Sequence, residues 1–204
     1  MLPTVNYYLA PSSPWTYLGH QRFTQILNAR GINVRLIPVD LGGKVFPATG
    51  GLPVGQRSAQ RQAYRLLELR RFSDHLGMPL NLKPKYFPVS ADLAAKLIIV
   101  VQAKLGQNKA MQMLAGILGS VWVREEDIAD PEQLKVNLKK LELDTRFVEQ
   151  TDEPWVQEEY DRNTMQAIEH GVFGSPSYVL NGEIFWGQDR LDFLDSRLKE
   201  IAIN

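Results

Sequence analysis

The chain has 204 residues, 44% of them hydrophobic, and its 23 basic side chains are balanced by 23 acidic ones. This length and apolar content are enough to bury the core of one domain with a large insertion. The balanced charge gives no overall field that would attract nucleic acid or an anionic membrane surface. We therefore expect a globular protein that recognises charge only locally.

Cysteine is absent and only three histidines occur, His20, His75 and His170. The lack of cysteine excludes disulfides, thiolate nucleophiles, iron–sulfur clusters and cysteine-based zinc sites. The histidines lack the spacing of metal ligands, so we expect no metal site and no catalytic histidine. The sequence shows no signal-peptide pattern and no apolar run long enough for a membrane span, and a cytoplasmic location is the resulting expectation.

The first part of the chain predicts a β-α-β unit. Residues 4–9, TVNYYL, are β-branched and aromatic and predict a strand, and residues 15–29 predict a helix that ends at Gly31. The alternating segment NVRLIPVDL predicts a second strand. The connection between the strands has the length that a right-handed parallel crossover needs.

The middle of the chain has apolar residues at helical spacing, and the end predicts two strands and a helix. Asn181-Gly182 separates the apolar runs PSYVL and EIFWG, which is a strong hairpin signal. The order β-α-β, helical insertion, β-β-α resembles a thioredoxin-like fold. We therefore predict an α/β protein with a thioredoxin-like domain from residues 1–42 and 171–204 and an inserted all-helical subdomain from residues 43–170.

Two motifs carry a closer resemblance. SPWTYL and FGSPSYVLNGEIFWGQDRLDFL, together with the order of elements, are similar to the 2-hydroxychromene-2-carboxylate isomerases and kappa-class glutathione transferases. These families are variants of the disulfide-oxidoreductase A-like thioredoxin fold, in which Cys-x-x-Cys opens the first helix. Ser13 and Thr16 replace both cysteines here. Because a hydroxyl cannot attack a disulfide as a thiolate does, we predict that the chain is not a disulfide oxidoreductase.

The resemblance implies a glutathione-dependent enzyme with a small-molecule substrate, usually a homodimer. It implies that Ser13 and the helix N-terminus hold the sulfur of glutathione as a thiolate, so that the nucleophile arrives with the cofactor. It also implies a cis bond before Pro176 that leaves the backbone N–H and C=O of Ser175 free for the cysteinyl unit. Gln188 and Asp189 are implied to hold the γ-glutamyl end.

Each of these residues also has a simpler structural interpretation. A serine before a helix is usually only an N-cap, and we expect Ser13 either to cap its helix or to donate to a thiolate. Ser12 replaces it if the register is shifted by one residue. Most X-Pro bonds are trans, which is the simple interpretation of Pro176. Asp189 also suits the start of a helix by its charge, and for Gln188 the two interpretations are balanced.

The substrate pocket is expected beside this site. We expect Trp15, Lys44, Phe46 and Trp186 to border it, although a loop lysine such as Lys44 is often only a solvated charge. A run of arginines at near-helical spacing predicts a solvated helix face, and one or two of its members suit a substrate carboxylate or the glycyl end of glutathione. The run consists of Arg57, Arg61, Arg65, Arg70 and Arg71.

Three positions depart from the family pattern. An acidic residue and an aromatic are replaced by Ala10-Pro11, a Gly-Asn pair by Gly50-Gly51, and Ala-Asn-Arg by Ala94-Ala95-Lys96. We expect these changes to lie around the second substrate and to leave the thiol site intact.

The resulting hypothesis is glutathione-dependent isomerisation of 2-hydroxychromene-2-carboxylate-like aromatic catabolites. In the isomerisation that the resemblance implies, the thiolate adds to the substrate and is later expelled. A kappa-type glutathione transferase, in which the sulfur stays attached to the electrophile, uses the same site. A non-catalytic thioredoxin-fold module that binds thiol peptides is the alternative from another class.

Overall fold

A computed structural model describes residues 3–203 of the chain, with side chains placed up to residue 201. Four strands form one sheet in the order β2-β1-β3-β4. Strands β1 and β2 are parallel, and β3 runs antiparallel to both β1 and β4. The strands are β1 (Thr4–Leu9), β2 (Asn33–Pro38), β3 (Ser177–Leu180) and β4 (Glu183–Trp186). The predicted α/β fold with a thioredoxin-like order of elements is confirmed.

Helices cover the sheet and make up the segment between β2 and β3. A π-helical turn, Leu41–Val45, leads into the first of them after β2, and one 3₁₀ turn, Gln188–Arg190, precedes the last. The helices are α1 (Pro14–Arg30), α2 (Phe46–Thr49), α3 (Ala59–Leu76), α4 (Asp92–Leu105), α5 (Gln107–Trp122), α6 (Pro131–Lys140), α7 (Pro154–Glu169) and α8 (Leu191–Ile203).

Local sequence signals account for the limits of the elements that build the site. Ser13 is the N-cap of α1, Pro14 takes the first helical position, and Gly31 ends the helix in the left-handed region with φ 61°. Asn181 and Gly182 have φ 51° and 84°, and the strands pair directly on either side of them. Two successive positive φ angles define a type I′ turn, so the predicted hairpin is confirmed.

One hydrophobic core joins the sheet to the inserted helices. Leu9 of β1, Phe23 of α1, Leu97 of α4, Trp122 of α5 and Leu194 of α8 belong to the same buried cluster. The helical segment therefore completes the core of the α/β part. Within residues 3–203, no helix is long and apolar enough to cross a membrane.

Candidate active site

A cavity of about 1340 Å³ lies where the N-terminus of α1 meets the inserted helices. It is larger than the roughly 300–1,000 Å³ that one small ligand usually occupies. Residues from both parts of the chain line it, including most of the predicted site; Pro176 and Lys44 are not among the lining residues. The predicted residues in its wall are Ser13, Trp15, Phe46, Ser175, Trp186, Gln188 and Asp189.

Ser13 uses its hydroxyl in two directions at once. Its oxygen accepts a hydrogen bond from the backbone N–H of Thr16 at 3.2 Å, which caps α1, and its proton is donated to the carbonyl of Ser175 at 3.1 Å. A hydroxyl carries one donor and two acceptor positions. The expected choice between capping and donating is therefore wrong, because capping leaves the proton available. The register is as predicted, since Ser13 and not Ser12 is the cap.

Ser175 lies directly before a cis peptide bond to Pro176, as the resemblance implied. Its side-chain oxygen accepts from the backbone N–H of Ala10 at 2.8 Å and shares a hydrogen bond of 2.8 Å with the hydroxyl of Thr16. The prediction that both backbone groups of Ser175 are free is wrong for the carbonyl, which accepts from Ser13. Its N–H donates to no group in residues 3–203.

The bond network around Ser175 contains two residues whose place sequence reasoning missed. The family pattern identifies Thr16 only as the substitute for a second cysteine. Its position three residues after Ser13, at the same end of α1, is the signal that predicts its place beside Ser13. Ala10 lines the cavity, and its backbone N–H also donates to the Ser175 hydroxyl, a contact that the sequence does not predict. The expectation that Ala95 lies around the second substrate is wrong, because Ala95 is not in the cavity wall and packs in a buried cluster with Ile99 and Tyr160.

Gln188 and Asp189 reach the cavity from the turn before α8. Gln188 is 1% exposed, and its side-chain Nε2 is buried without a hydrogen-bond partner in the described structure. Its Oε1 lies 3.5 Å from Nη1 of Arg22. Asp189 is partly exposed and forms an ion pair of 2.7 Å with Arg190. An ammonium group bound by Asp189 would therefore compete with an exposed pair, which holds its partner weakly.

Aromatic side chains form part of the wall. Trp15 packs edge-to-face on Phe72 at 6.0 Å between ring centroids, and Trp186 packs on Phe173 at 4.7 Å. Trp186 remains 51% exposed, so it is pocket wall and not core. These flat apolar surfaces suit an aromatic ligand.

Phe46 explains the departure at Gly51. A Cβ atom at Gly51 would lie 2.3 Å from Cδ1 of the Phe46 ring. The ring thus fills the space that an asparagine at position 51 would need. Lys44, by contrast, lies outside the cavity wall, because its Nζ pairs with Oδ1 of Asp161 at 2.5 Å on the surface. Its expected place at the pocket is not what the structure shows.

The arginine run does not form a uniformly solvated face, so that prediction is wrong for Arg65. Arg57, Arg61 and Arg65 line the cavity, and Arg65 is only 8% exposed. Burial, together with the charge of Arg57, lowers the pKa of Arg65 to about 10. Sequence reasoning missed this because the residues that bury Arg65, Phe87 and Trp122, lie in other segments of the chain.

The histidines do not face the cavity. His20 is buried, its Nε2 donates to the carbonyl of Met111 at 3.0 Å, and burial lowers its pKa to about 4. His170 lies 2.8 Å from the hydroxyl of Tyr8 through Nδ1. Neither residue is in the cavity wall, and that they take no part in catalysis stays a prediction.

The fold and the site define the class of protein. The family model for a DSBA-like thioredoxin domain matches residues 4–199. The chain therefore belongs to the family of DSBA-like thioredoxin domains.

Curated relatives and a solved structure are similar over almost the whole chain. The chain is 27% identical to the 2-hydroxychromene-2-carboxylate isomerase of Sphingobium xenophagum, over 97% of this chain and 99% of that protein. It is 29% identical to the enzyme of the same name from Pseudomonas putida, over 97% and 95% of the two chains. The structure of a 2-hydroxychromene-2-carboxylate isomerase superposes with a TM-score of 0.81 at 25% identity, covering 98% of this chain and 96% of that one.

Proposed function

We propose that this protein is a glutathione-dependent isomerase of 2-hydroxychromene-2-carboxylate or a closely related aromatic catabolite. The observation that carries the proposal is the position of the Ser13 hydroxyl, at the N-terminus of α1 and in the wall of a cavity that also contains Ser175 and Gln188. The names of relatives that are similar over the full length support an isomerase activity.

The residues present fit glutathione, because the cavity wall offers unused hydrogen-bond donors. The Ser175 N–H makes no hydrogen bond within the described part of the chain, and the Nε2 of Gln188 is buried without a partner. A buried donor without an acceptor costs about 1–3 kcal/mol, which a ligand carbonyl or carboxylate would recover. Ser175 suits the peptide backbone of the cysteinyl unit, and Gln188 and Asp189 suit the γ-glutamyl end.

The hydroxyl of Ser13 is arranged to respond to a bound sulfur. Its proton points to the Ser175 carbonyl, while its oxygen is held by the Thr16 N–H. If the proton turns to a thiolate, the cap on α1 is kept and the Ser175 carbonyl becomes free to accept from a ligand N–H. The N-terminus of α1 adds its positive partial charge at the same place.

Bound glutathione would supply the thiolate nucleophile that a chain without cysteine lacks. The protein's own part is to hold the sulfur as an anion, to orient the peptide at Ser175, and to enclose an aromatic substrate between Trp15, Phe46 and Trp186. The cavity volume of about 1340 Å³ has room for two ligands. A homodimer belongs to the same proposal, and light scattering of the purified protein tests it.

The experiment that tests the function follows the isomerisation of 2-hydroxychromene-2-carboxylate by absorbance at increasing glutathione concentration. We expect a rate that saturates with glutathione while total glutathione stays constant. Ser13→Ala should lower kcat by about 10²–10³, the usual effect of removing one donor to a developing or bound anion. A glutathione adduct that accumulates instead would indicate a transferase.

Ser12→Ala is the matched control. Ser12 also lines the cavity, but it makes no hydrogen bond in the described structure and does not cap α1. Its kcat should equal that of the unmodified protein. Isomerisation without glutathione, or equal rates for the two alanine variants, contradicts the proposal. Binding of glutathione with no turnover of either a chromene or a general electrophile would favour the non-catalytic module.

A further inference from the structure

Arg65 is a buried cation without an anion. It is 8% exposed, and none of its N–H groups donates a hydrogen bond to a described residue. Its Nη2 is closed off from solvent with no partner. Removing a charge from water without pairing it is costly, so buried arginines are normally paired. Arg65 is among the residues that line the cavity.

Aromatic rings hold the Arg65 guanidinium in place. Its Cζ lies 5.2 Å from the ring centroid of Phe87 and 5.9 Å from that of Trp122. These cation–π contacts offset part of the desolvation, but they use the faces of the rings and leave the N–H groups unused. The indole Nε1 of Trp122 is a second buried donor without an acceptor. The guanidinium is therefore held in position with its hydrogen-bonding capacity unused.

Two more arginines surround the same part of the cavity. Arg61 lines it one helical turn before Arg65 and Arg57 lines it just before the start of α3, and neither forms an ion pair with a carboxylate in residues 3–203. Burial lowers the pKa of both Arg57 and Arg65, and the charge of a neighbour adds to it, that of Arg61 at Arg57 and that of Arg57 at Arg65. Neighbouring cations in this group therefore repel one another. Glu68 also lines the cavity but pairs with Arg71 at 2.7 Å.

We propose that Arg65, supported by Arg57 and Arg61, forms a carboxylate-binding subsite that positions the second substrate in this cavity. A carboxylate would relieve the repulsion between the three cations and accept from the unused N–H groups. This inference rests on the proposed function only for the identity of the substrate. That substrate, 2-hydroxychromene-2-carboxylate, has one carboxylate on a bicyclic ring system.

The carboxylate belongs to the second substrate and not to the glycyl end of glutathione because of where the groups lie. The residues that suit glutathione come from the start of α1, the loop before β3 and the turn before α8. Arg65 lies on α3 in the inserted helices. Phe46, whose ring has the Cζ of Arg57 5.9 Å from its centroid, provides an aromatic wall next to the arginines. A flat ring with a carboxylate matches both surfaces.

The test compares 2H-chromene-2-carboxylate with 2H-chromene-2-carboxamide by calorimetric titration in the absence of glutathione. These probes differ in charge but hardly in shape. We expect the carboxylate to bind about 10- to 100-fold more tightly to the unmodified protein, as for a charge-assisted hydrogen bond. Arg65→Met should remove this preference and leave the carboxamide affinity unchanged. Its melting temperature should stay equal or rise, because an unpaired buried charge is replaced by an apolar chain.

Two further variants complete the design. Arg61→Gln should weaken carboxylate binding several-fold, and since Arg61 is exposed it tests the subsite even if Arg65→Met does not fold. Arg70→Met is the control, because Arg70 is an exposed arginine on the same helix that does not line the cavity. It should bind both probes like the unmodified protein.

The outcomes separate this inference from the proposed function. A carboxylate preference that survives in Arg65→Met overturns the subsite. An equal loss of affinity for both probes together with a lowered melting temperature overturns it too, because it indicates that Arg65 has a structural role. Weakened binding of glutathione but not of the chromene carboxylate assigns the arginines to the glycyl end and overturns the chosen ligand. A carboxylate preference without isomerase activity supports the subsite and contradicts the function.

Discussion

At the scale of single residues, the site depends on polar groups that can still form hydrogen bonds with a ligand after folding. Ser13 caps its helix and still has a proton to direct, because one hydroxyl both accepts and donates. Thr16 and Ser175 share a hydrogen bond that ties the helix end to the loop before Pro176. Polar contacts between segments far apart in the chain thus fix the position of Ser13 more strongly than the cap alone.

His20 gives a prediction at this scale. Burial lowers its pKa to about 4 from an ordinary 6.5, so the folded state keeps it neutral while the unfolded state takes up a proton. The free energy of unfolding should be unaffected above pH 6.5 and should fall as the pH drops, losing about 3 kcal/mol by pH 4. Urea unfolding at pH 4 to 7.5 measures this loss.

His20→Gln is the matched variant, since an amide can donate to the Met111 carbonyl without titrating. The loss of stability between pH 6.5 and 4.5 should be smaller in this variant by the His20 contribution. The same pH dependence in both proteins would contradict the assignment.

At the scale of elements, the close contact between α1 and the turn at 188–190 positions the predicted γ-glutamyl site. A Cβ atom on Gly19 would lie 2.8 Å from the hydroxyl of Tyr178 and 2.9 Å from Cβ of Gln188. The absence of a side chain at Gly19 is therefore what lets Gln188 approach the helix. The sequence does not predict this close approach, because from sequence alone a glycine inside a helix is simply a weak helix former.

Gly19→Ala should displace the turn that carries Gln188 and Asp189. We expect a loss of stability of roughly 1–3 kcal/mol from overpacking, and weaker glutathione binding. Gly116→Ala is the control on another helix, where an added Cβ meets nothing within 4 Å. It should gain up to about 1 kcal/mol from helix propensity. Thermal unfolding and glutathione titration of both variants check this, and similar behaviour of the two would contradict it.

The elements themselves follow from local signals, and the site follows only in part. Ser13, Gly31 and the Asn181-Gly182 turn act within a few residues, so the sequence predicts their elements directly. Arg65 has the same local pattern as an exposed helical arginine, and its burial depends on Phe87 and Trp122. The prediction that Lys44 borders the pocket is wrong for the same reason, because its partner Asp161 is on α7.

At the scale of the whole molecule, the inserted helices and the sheet depend on one core. The largest buried cluster includes residues from β1, α1, α4, α5 and α8. Neither part can lose its packing without exposing the apolar face of the other. The cavity lies along this junction, with Ser13 on the wall formed by the start of α1 and the arginines on the wall formed by the inserted helices.

A shared core predicts cooperative unfolding. Far-ultraviolet circular dichroism, which is dominated by the helices, should change at the same urea concentration as tryptophan fluorescence. The fluorescence reports on both parts, since Trp122 is on α5 and Trp186 on β4. Two separated transitions would show that the inserted helices unfold on their own and would contradict the shared core.

The central claim is that the Ser13 hydroxyl and the end of α1 hold the sulfur of glutathione as an anion. The most direct measurement titrates the ultraviolet absorbance of the thiolate of bound glutathione against pH. In the unmodified protein we predict a thiol pKa at least about one pH unit below that of free glutathione, and in Ser13→Ala a return toward the free value. A bound thiol that titrates like free glutathione in the unmodified protein, or identically in both proteins, would contradict the account.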